Sequence, residues 1–421
     1  MRFLPVLFAL GFIALSASAQ ISSATSQPTF VTVPITLDHN RVIIDVYLPL
    51  PDGSTKRVRG WVDNGDADLW MSQRAATLMG LNVTCSDKEC SAPPPIAIKI
   101  GEMNVPLADV PRIRIPLKLP SADSVMAPGM SAEIKIPSSV LRKYDVLINY
   151  PDREFSIGVP GSLKFNGVKD KMMVSANGSI QILSRIENKN CTLGLDNGSS
   201  ISFLSEELFD KLNGAHPDWV HMTGAVGPAN LWGGSDETKW KLMRLDRVQF
   251  GPLYLTNVAV VASQKYAAGS ADKHARPVEL GTIGADALMN YRIGLDYAHS
   301  AVYFDLGTTF KFPDFDVVGL TLRPDDDTRF TILGVANFDG KPSVPTGDDG
   351  LQPGDHLVAV DGIPVPDSTM GQVWSLLEGT PGQERKLTVE RGGKQFAVGA
   401  KVQHFLGEAE EDPKKEKPGR N

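Results

Sequence analysis

Gly60-Trp-Val-Asp-Asn-Gly-Asp-Ala-Asp-Leu-Trp-Met-Ser72 recurs downstream as Leu193-Gly-Leu-Asp-Asn-Gly-Ser-Ser-Ile-Ser-Phe-Leu-Ser205. In both copies an apolar strand-like run ends in Asp-Asn-Gly, and a second apolar run follows. Asp63 falls on Asp196, an offset of 133. Helix-like stretches come next in each copy, Gln73 to Met79 and Glu206 to Leu212. A fixed offset of this kind signals a duplicated structural unit.

Two further matches extend the repeat. Ile98-Lys-Ile-Gly-Glu-Met-Asn-Val105 pairs with Val248-Gln-Phe-Gly-Pro-Leu-Tyr-Leu255, each a strand, a Gly turn and a strand. Ile136-Pro-Ser-Ser-Val-Leu-Arg-Lys-Tyr-Asp-Val-Leu-Ile-Asn-Tyr150 pairs with Ile283-Gly-Ala-Asp-Ala-Leu-Met-Asn-Tyr-Arg-Ile-Gly-Leu-Asp-Tyr297. Glu154–Ile157 and Ala301–Phe304 then close the units as strands. Chance supplies any one of these matches, but not three in the same order. The expected lobes are residues 28–160 and 168–310, with Pro160-Gly161-Ser162 opening the link.

The repeat has a chemical consequence. Gly after Asp permits a sharp turn, so the carboxylate stands at the tip of a rigid strand. Two such tips facing one another bring two carboxylates together. Like charges that close cannot both ionise, so the pair shares one proton. The ionised member can deprotonate water while the protonated one polarises a carbonyl. A single Asp-Asn-Gly reads as an ordinary hairpin turn; two copies inside a matched repeat favour the dyad. This chemistry calls for no metal and no cofactor. The seven His are scattered, and no His-Glu-x-x-His, Gly-x-Ser-x-Gly or phosphate-binding Gly-Lys-Ser/Thr motif is present.

On these residues the segment from about 30 to 305 resembles the pepsin and retropepsin aspartic proteases. Asp63-Asn-Gly-Asp-Ala-Asp-Leu-Trp-Met looks like the first active-site strand of pepsins, and the overall repeat looks like bacterial retropepsin-like domains. The resemblance implies a mainly β fold of two β-barrel lobes, catalytic Asp63 and Asp196, and polypeptide substrates. Asn64, Gly65, Asn197, Gly198 and Gly284 would support the dyad. The family usually has Thr or Ser between Asp and Gly, and its hydroxyl bonds across to the facing loop; both copies here have Asn. The first lobe has Pro137 where the second keeps Gly284. Asp286, next to Gly284, is expected to serve structure, as a cap on the following helix.

The Gly-rich insertion Met222 to Gly234, which includes Gly224, Gly227 and Trp232, is a candidate flap over the substrate. Its alternative is a plain surface loop. Trp232 would pack on substrate or anchor that loop. Cys85 and Cys90 bracket four residues and can close a small loop after export; the same spacing looks like the small disulfide loop of pepsins. Cys191 sits in an apolar strand-like stretch and reads as packing.

Residues 315–403 change character. Gly350-Leu-Gln-Pro-Gly-Asp-His-Leu-Val-Ala-Val-Asp-Gly-Ile-Pro-Val365 reads as turn, strand, Asp-Gly turn and strand. A helix is expected over Thr369 to Glu378, with Val373, Leu376 and Leu377 on one face. A hairpin is expected around Gly392-Gly393. This stretch resembles a bacterial PDZ domain. The resemblance implies binding of peptide C-termini or partner proteins at a sheet edge, with the carboxylate loop at Gly319 and Leu320. A PDZ fold that only packs on the lobes is the alternative.

The remaining features bound the function. The chain has 421 residues, room for two or three domains, and Gly 39 and Pro 30 suit a turn-rich β fold. The formal charge of -7 offers no basic footprint for nucleic acid. Arg2, the apolar run Phe3 to Leu15 and Ala17-Ser18-Ala19 form an export signal at 1–19, which points to the periplasm or the outside of the cell. No later stretch is long and apolar enough to span a membrane. Residues 407–421 are charged and poor in apolar side chains, as in a disordered tail. The sequence thus leads to an aspartic endopeptidase with a PDZ module. The alternatives are an inactive peptide-binding relative and a second lobe that pairs with another chain.

Overall fold

Apolar residues alternate along Arg41–Pro49 so that Val42, Ile44, Val46 and Leu48 are buried in one core. That strand pairs antiparallel with Thr55–Asp63, Val46 facing Val58. Ile134–Pro137 returns parallel to the end of Thr55–Asp63, Ile136 beside Val62. The second lobe repeats the arrangement. Ile180–Ile186 pairs with Lys189–Leu195, and Glu279–Ile283 runs parallel to the latter with Ile283 beside Leu195. The computed structural model describes residues 28–87, 90–116, 132–176, 178–187, 189–264, 279–308, 315–325, 327–338 and 340–406. The export signal read in residues 1–19 and the tail read in 407–421 lie outside them, as do 309–310 at the end of the second lobe's expected range.

The duplication is visible in details. The hairpins Ala97–Ile100/Met103–Pro106 and Lys241–Phe250/Leu253–Ser263 turn at Gly101 and Gly251 with φ of 54 and 57°. Gly adopts this left-handed conformation without the Cβ penalty. Ser72 caps the helix Gln73–Leu78, its Oγ accepting from Ala75 N at 3.0 Å. Ser205, at the same step, caps Glu206–Ala215 by accepting from Leu208 N at 3.3 Å. The lobes also share a six-stranded sheet, in which Asp145–Asn149 pairs antiparallel with Tyr291–Asp296. One continuous hydrophobic core runs through both.

The third unit is a sheet ordered Leu320–Pro324, Phe330–Val335, His356–Val360, Glu384–Arg391, Lys394–Lys401. Its helix is Met370–Leu377, capped by Thr369 with a reciprocal bond from Gln372. Gly392 and Gly393 both turn with positive φ, as the expected hairpin requires. The chain is therefore mainly β in all three units.

The third unit packs on both lobes. Its core is continuous with Ala225, Val226, Ala229 and Leu231 of the second lobe. From the first lobe, Asp38 Oδ1 accepts from Thr369 Oγ1 at 3.0 Å and Gly371 N at 3.1 Å. A carboxylate at a helix N-terminus meets unpaired N–H groups there, a favourable pairing.

Candidate active site

The fully buried Val62 and Leu195 end two strands that deliver Asp63 and Asp196 to the seam between the lobes. The residues that follow clasp each other. Asn64 N donates to Asn197 Oδ1 at 3.1 Å, and Asn64 Nδ2 to Leu195 O at 3.0 Å. Reciprocally, Asn197 N donates to Asn64 Oδ1 at 2.7 Å, and Asn197 Nδ2 to Val62 O at 2.9 Å. Both Asn side chains have no solvent exposure. An amide carries donor and acceptor together, so each Asn bonds two backbone groups of the facing strand.

The glycines complete the clasp by what they lack. A Cβ on Gly65 would stand 2.2 Å from Cγ of Asp196, and one on Gly198 would stand 2.2 Å from Oδ1 of Asp63. Each carboxyl group therefore lies against the glycine of the opposite turn. Gly is required here for space. Gly65 N also donates to Asp63 Oδ1 and Gly198 N to Asp196 Oδ1, both at 2.9 Å, and Ser199 N adds a bond to Asp196 at 3.1 Å.

Both carboxyl groups line one cavity of about 430 Å³. Trp61, Phe203, Leu231, Trp232 and Trp240 give it aromatic and apolar walls. Two cations that sequence reading missed stand beside the acids. Lys135, 1% exposed, lies with Nζ 3.6 Å from Asp63 Oδ2 and forms an ion pair with Asp66. Its ammonium also faces the rings of Trp61 and Trp70 at 5.5 and 5.8 Å. Arg41, fully buried, donates from Nε to Gly198 O at 3.3 Å and lies over Trp232 at 4.5 Å. The available signal was a Lys and an Arg bordered by apolar strand residues, in Ile134-Lys135-Ile136 and Arg41-Val-Ile-Ile44.

Burial pushes the Asp63 carboxyl above its ordinary range, and the Lys135 charge opposes that shift. Burial also acts on Asp66, but there the Lys135 charge and hydrogen bond prevail and hold it low. Burial pulls Arg41 down to about 10, against the attraction of Asp38, Asp63, Glu237 and Asp196, so it stays charged at neutral pH.

Gly284 N donates to Ser202 Oγ at 3.0 Å, and a Cβ on Gly284 would stand 2.3 Å from Ile201 O. Pro137 and Gly284 share an extended backbone (φ -85 and -91°). The second lobe needs Gly for close approach of a neighbouring strand, and Pro fits the same φ in the first. Asp286 does not cap the helix Ala285–Leu288; Gly284 holds the cap position, and Asp286 Oδ1 instead accepts from Ser202 Oγ at 3.1 Å. Ser202 is the nearer partner because its strand runs directly beside this turn. Cys85 and Cys90 form a disulfide, and Cys191 is a buried free thiol whose pKa burial pushes up to about 11.

Trp232 lines the dyad cavity, whereas Gly224 and Gly227 pack on the third unit, against Ala336 and Val317. Gly319 packs against Ser343 and Phe405; Val318 N donates to Leu377 O and Leu320 N to Val318 O.

A PDZ domain profile matches residues 347–391, so the third unit contains a PDZ domain, a module that binds peptides or partner proteins. No curated protein matches the chain. Among solved structures, the crystal structure of an aspartic proteinase from Irpex lacteus is similar at 12% identity and a TM-score of 0.40, covering 66% of this chain and 98% of that one. No helix among the described residues is long and apolar enough to cross a membrane.

Proposed function

We propose that this chain is an exported aspartic endopeptidase, acting in the periplasm or outside the cell, in which Asp63 and Asp196 hydrolyse peptide bonds and the PDZ module recruits substrate or partner polypeptides. The supporting observation is the reciprocal clasp, in which each carboxyl group rests on the glycine of the opposite turn. Lys135 lies 3.6 Å from Asp63 Oδ2 and opposes the burial that raises this carboxyl, so the reading assigns Asp63 as the base and Asp196 as the acid. Asp63 takes a proton from water as the oxygen adds to the scissile carbonyl carbon. Asp196 gives its proton to the carbonyl oxygen. Collapse of the gem-diol breaks the C–N bond, and the amine leaves with a proton returned through the pair. The aromatic walls suit bulky apolar side chains flanking that bond.

A second reading is a peptide-binding protein without hydrolysis, and the Lys135–Asp63 ion pair favours it by tying down one carboxylate. Cleavage of an unfolded polypeptide over a range of acidic to neutral pH separates the two. Asp63→Ala and Asp196→Ala are each expected to lower the rate by about 10⁴-fold. Equal rates in wild type and both variants would leave the binding reading standing.

A further inference from the structure

Leu320–Pro324 is the outer strand of the PDZ sheet, the kind of edge on which an extended peptide adds as a further strand. Here that edge is taken. Leu322 N donates to Asn230 Oδ1 at 2.9 Å, and Leu322 O accepts from Asn230 Nδ2 at 3.0 Å. One side-chain amide thus supplies the donor and the acceptor that a neighbouring strand would offer. Thr321 Oγ1 donates to Ala225 O at 2.9 Å, and a Cβ on Gly233 would stand 2.5 Å from Cα of Arg323. Asn230 is fully buried.

The loop that carries Asn230 is stiff in its own right. The buried Glu237 carboxylate accepts from the N–H of Leu231, Trp232 and Gly234 and from Asn230 Nδ2. Its far end belongs to the dyad cavity. Asn230 O bonds His39 Nε2 of the first lobe at 2.8 Å, and Trp232 meets Trp61 edge-on with ring centroids 6.4 Å apart.

We infer that residues 225–233 are the resident ligand of the PDZ edge strand, and that an extended polypeptide binding this edge expels the loop and withdraws Trp232 from the dyad cavity. Two distinct sites then share one element with two positions, which is the requirement for coupling between them. Leu322 cannot pair with an incoming strand while Asn230 holds both of its backbone groups. The inference stands on these contacts and on the PDZ fold, not on hydrolysis, so its failure would leave the dyad reading untouched.

The test uses the full chain and Asn230→Asp. That change keeps the side chain's size, removes the donor to Leu322 O, and sets a second carboxylate beside Glu237. Hydrogen exchange at the amides of Leu322, Leu231 and Trp232 is expected to quicken about tenfold or more, with His356–Val360 and Glu384–Arg391 unchanged. The Trp232 share of fluorescence, taken as the difference from the same protein carrying Trp232→Phe, becomes more open to acrylamide. A synthetic peptide of residues 224–238 is expected to bind Asn230→Asp about tenfold tighter than wild type, because the wild-type edge is occupied. Unchanged exchange at Leu322, equal peptide affinity for the two proteins, or binding to neither overturns the inference. Should Asn230→Asp lose protection throughout, Thr321→Val removes only the bond to Ala225. Exchange across 225–229 is then expected to rise about threefold, and no change counts against it.

Discussion

Lys135 and Thr282 stand at the same step of the duplicated unit, each one residue before the isoleucine that lies beside the dyad strand. In the first lobe Lys135 pairs across with Trp61, and its ammonium reaches Asp63. In the second, Thr282 faces Gly194, and a Cβ on Gly194 would already stand 2.8 Å from Thr282 Oγ1. A long cation with an aromatic platform has taken the place of a small, neutral contact. The turns themselves remain alike down to their hydrogen bonds: Ser138 N bonds Asp66 O as Ala285 N bonds Ser199 O, at 2.8 and 2.9 Å. The duplication thus preserves what presents two carboxyl groups and varies what sets their charge. Symmetry builds the pair, and the unlike flanking strands make its members unequal.

The clasp is where the lobes are most alike, so it gives the sharpest test of the symmetry. Asn64→Ala strands Asn197 N and Leu195 O without their partner, and Asn197→Ala does the same to Asn64 N and Val62 O. Unsatisfied buried groups cost about 1–3 kcal/mol each, so each variant, with two such groups, is expected to lose about 2–6 kcal/mol. Urea unfolding should show the two losses equal within about 1 kcal/mol. A clear inequality would mean that one lobe carries the seam.

Asp286 and Ser139 fall at matched steps but differ in charge. Ser139 Oγ donates to Ala67 O at 2.6 Å, whereas Asp286 is fully buried with Oδ2 lacking any hydrogen-bond partner. Burial raises the Asp286 pKa from 3.8 to about 7. The folded chain therefore keeps a proton that the unfolded chain releases near 3.8. Stability from this group is full below that pH and is lost as pH climbs towards 7. Asp286→Asn cannot lose it, so its advantage over wild type is expected to grow with pH, up to about 4 kcal/mol by about pH 8. Ser139→Ala should show no such slope. Denaturant midpoints at about pH 4 and about pH 8 read both. A flat difference for Asp286→Asn would mean that its carboxyl group is hydrated in the folded chain.

How far the sequence led follows from the same contrast. The repeat was legible because its signals are local: Asp-Asn-Gly after an apolar run, and a Gly turn inside a hairpin. The PDZ unit was legible for the same reason, through Gly350 to Val365. The Asn residues looked like a departure, because their value lies in backbone groups about 130 residues away that only the folded seam supplies. Lys135 and Arg41 passed unmarked, since nothing adjacent in sequence shows that both face buried acids. The insertion from Met222 read as a flap because Gly-rich loops commonly move; its docking depends on one amide, Asn230, meeting one strand edge.

The smallest expected effect bears most directly on the inequality of the two acids. Lys135→Thr gives the first lobe the residue type of the second. An opposite charge this close lowers a carboxyl pKa by about 1–3 units, so its removal lets burial raise Asp63 further. Hydrolysis that needs ionised Asp63 is lost on the acid side when that group protonates. The acid limb of the pH–rate profile is therefore expected to move upward by about one unit, while Thr282→Val, which removes no charge, leaves it in place. An unmoved limb in Lys135→Thr would mean that Asp63 is not the base, and the roles of the two acids would exchange. An inert wild type beside an active Lys135→Thr would mean that the ammonium holds the cleft closed to chemistry, so that one side chain decides between a hydrolase and a peptide receptor.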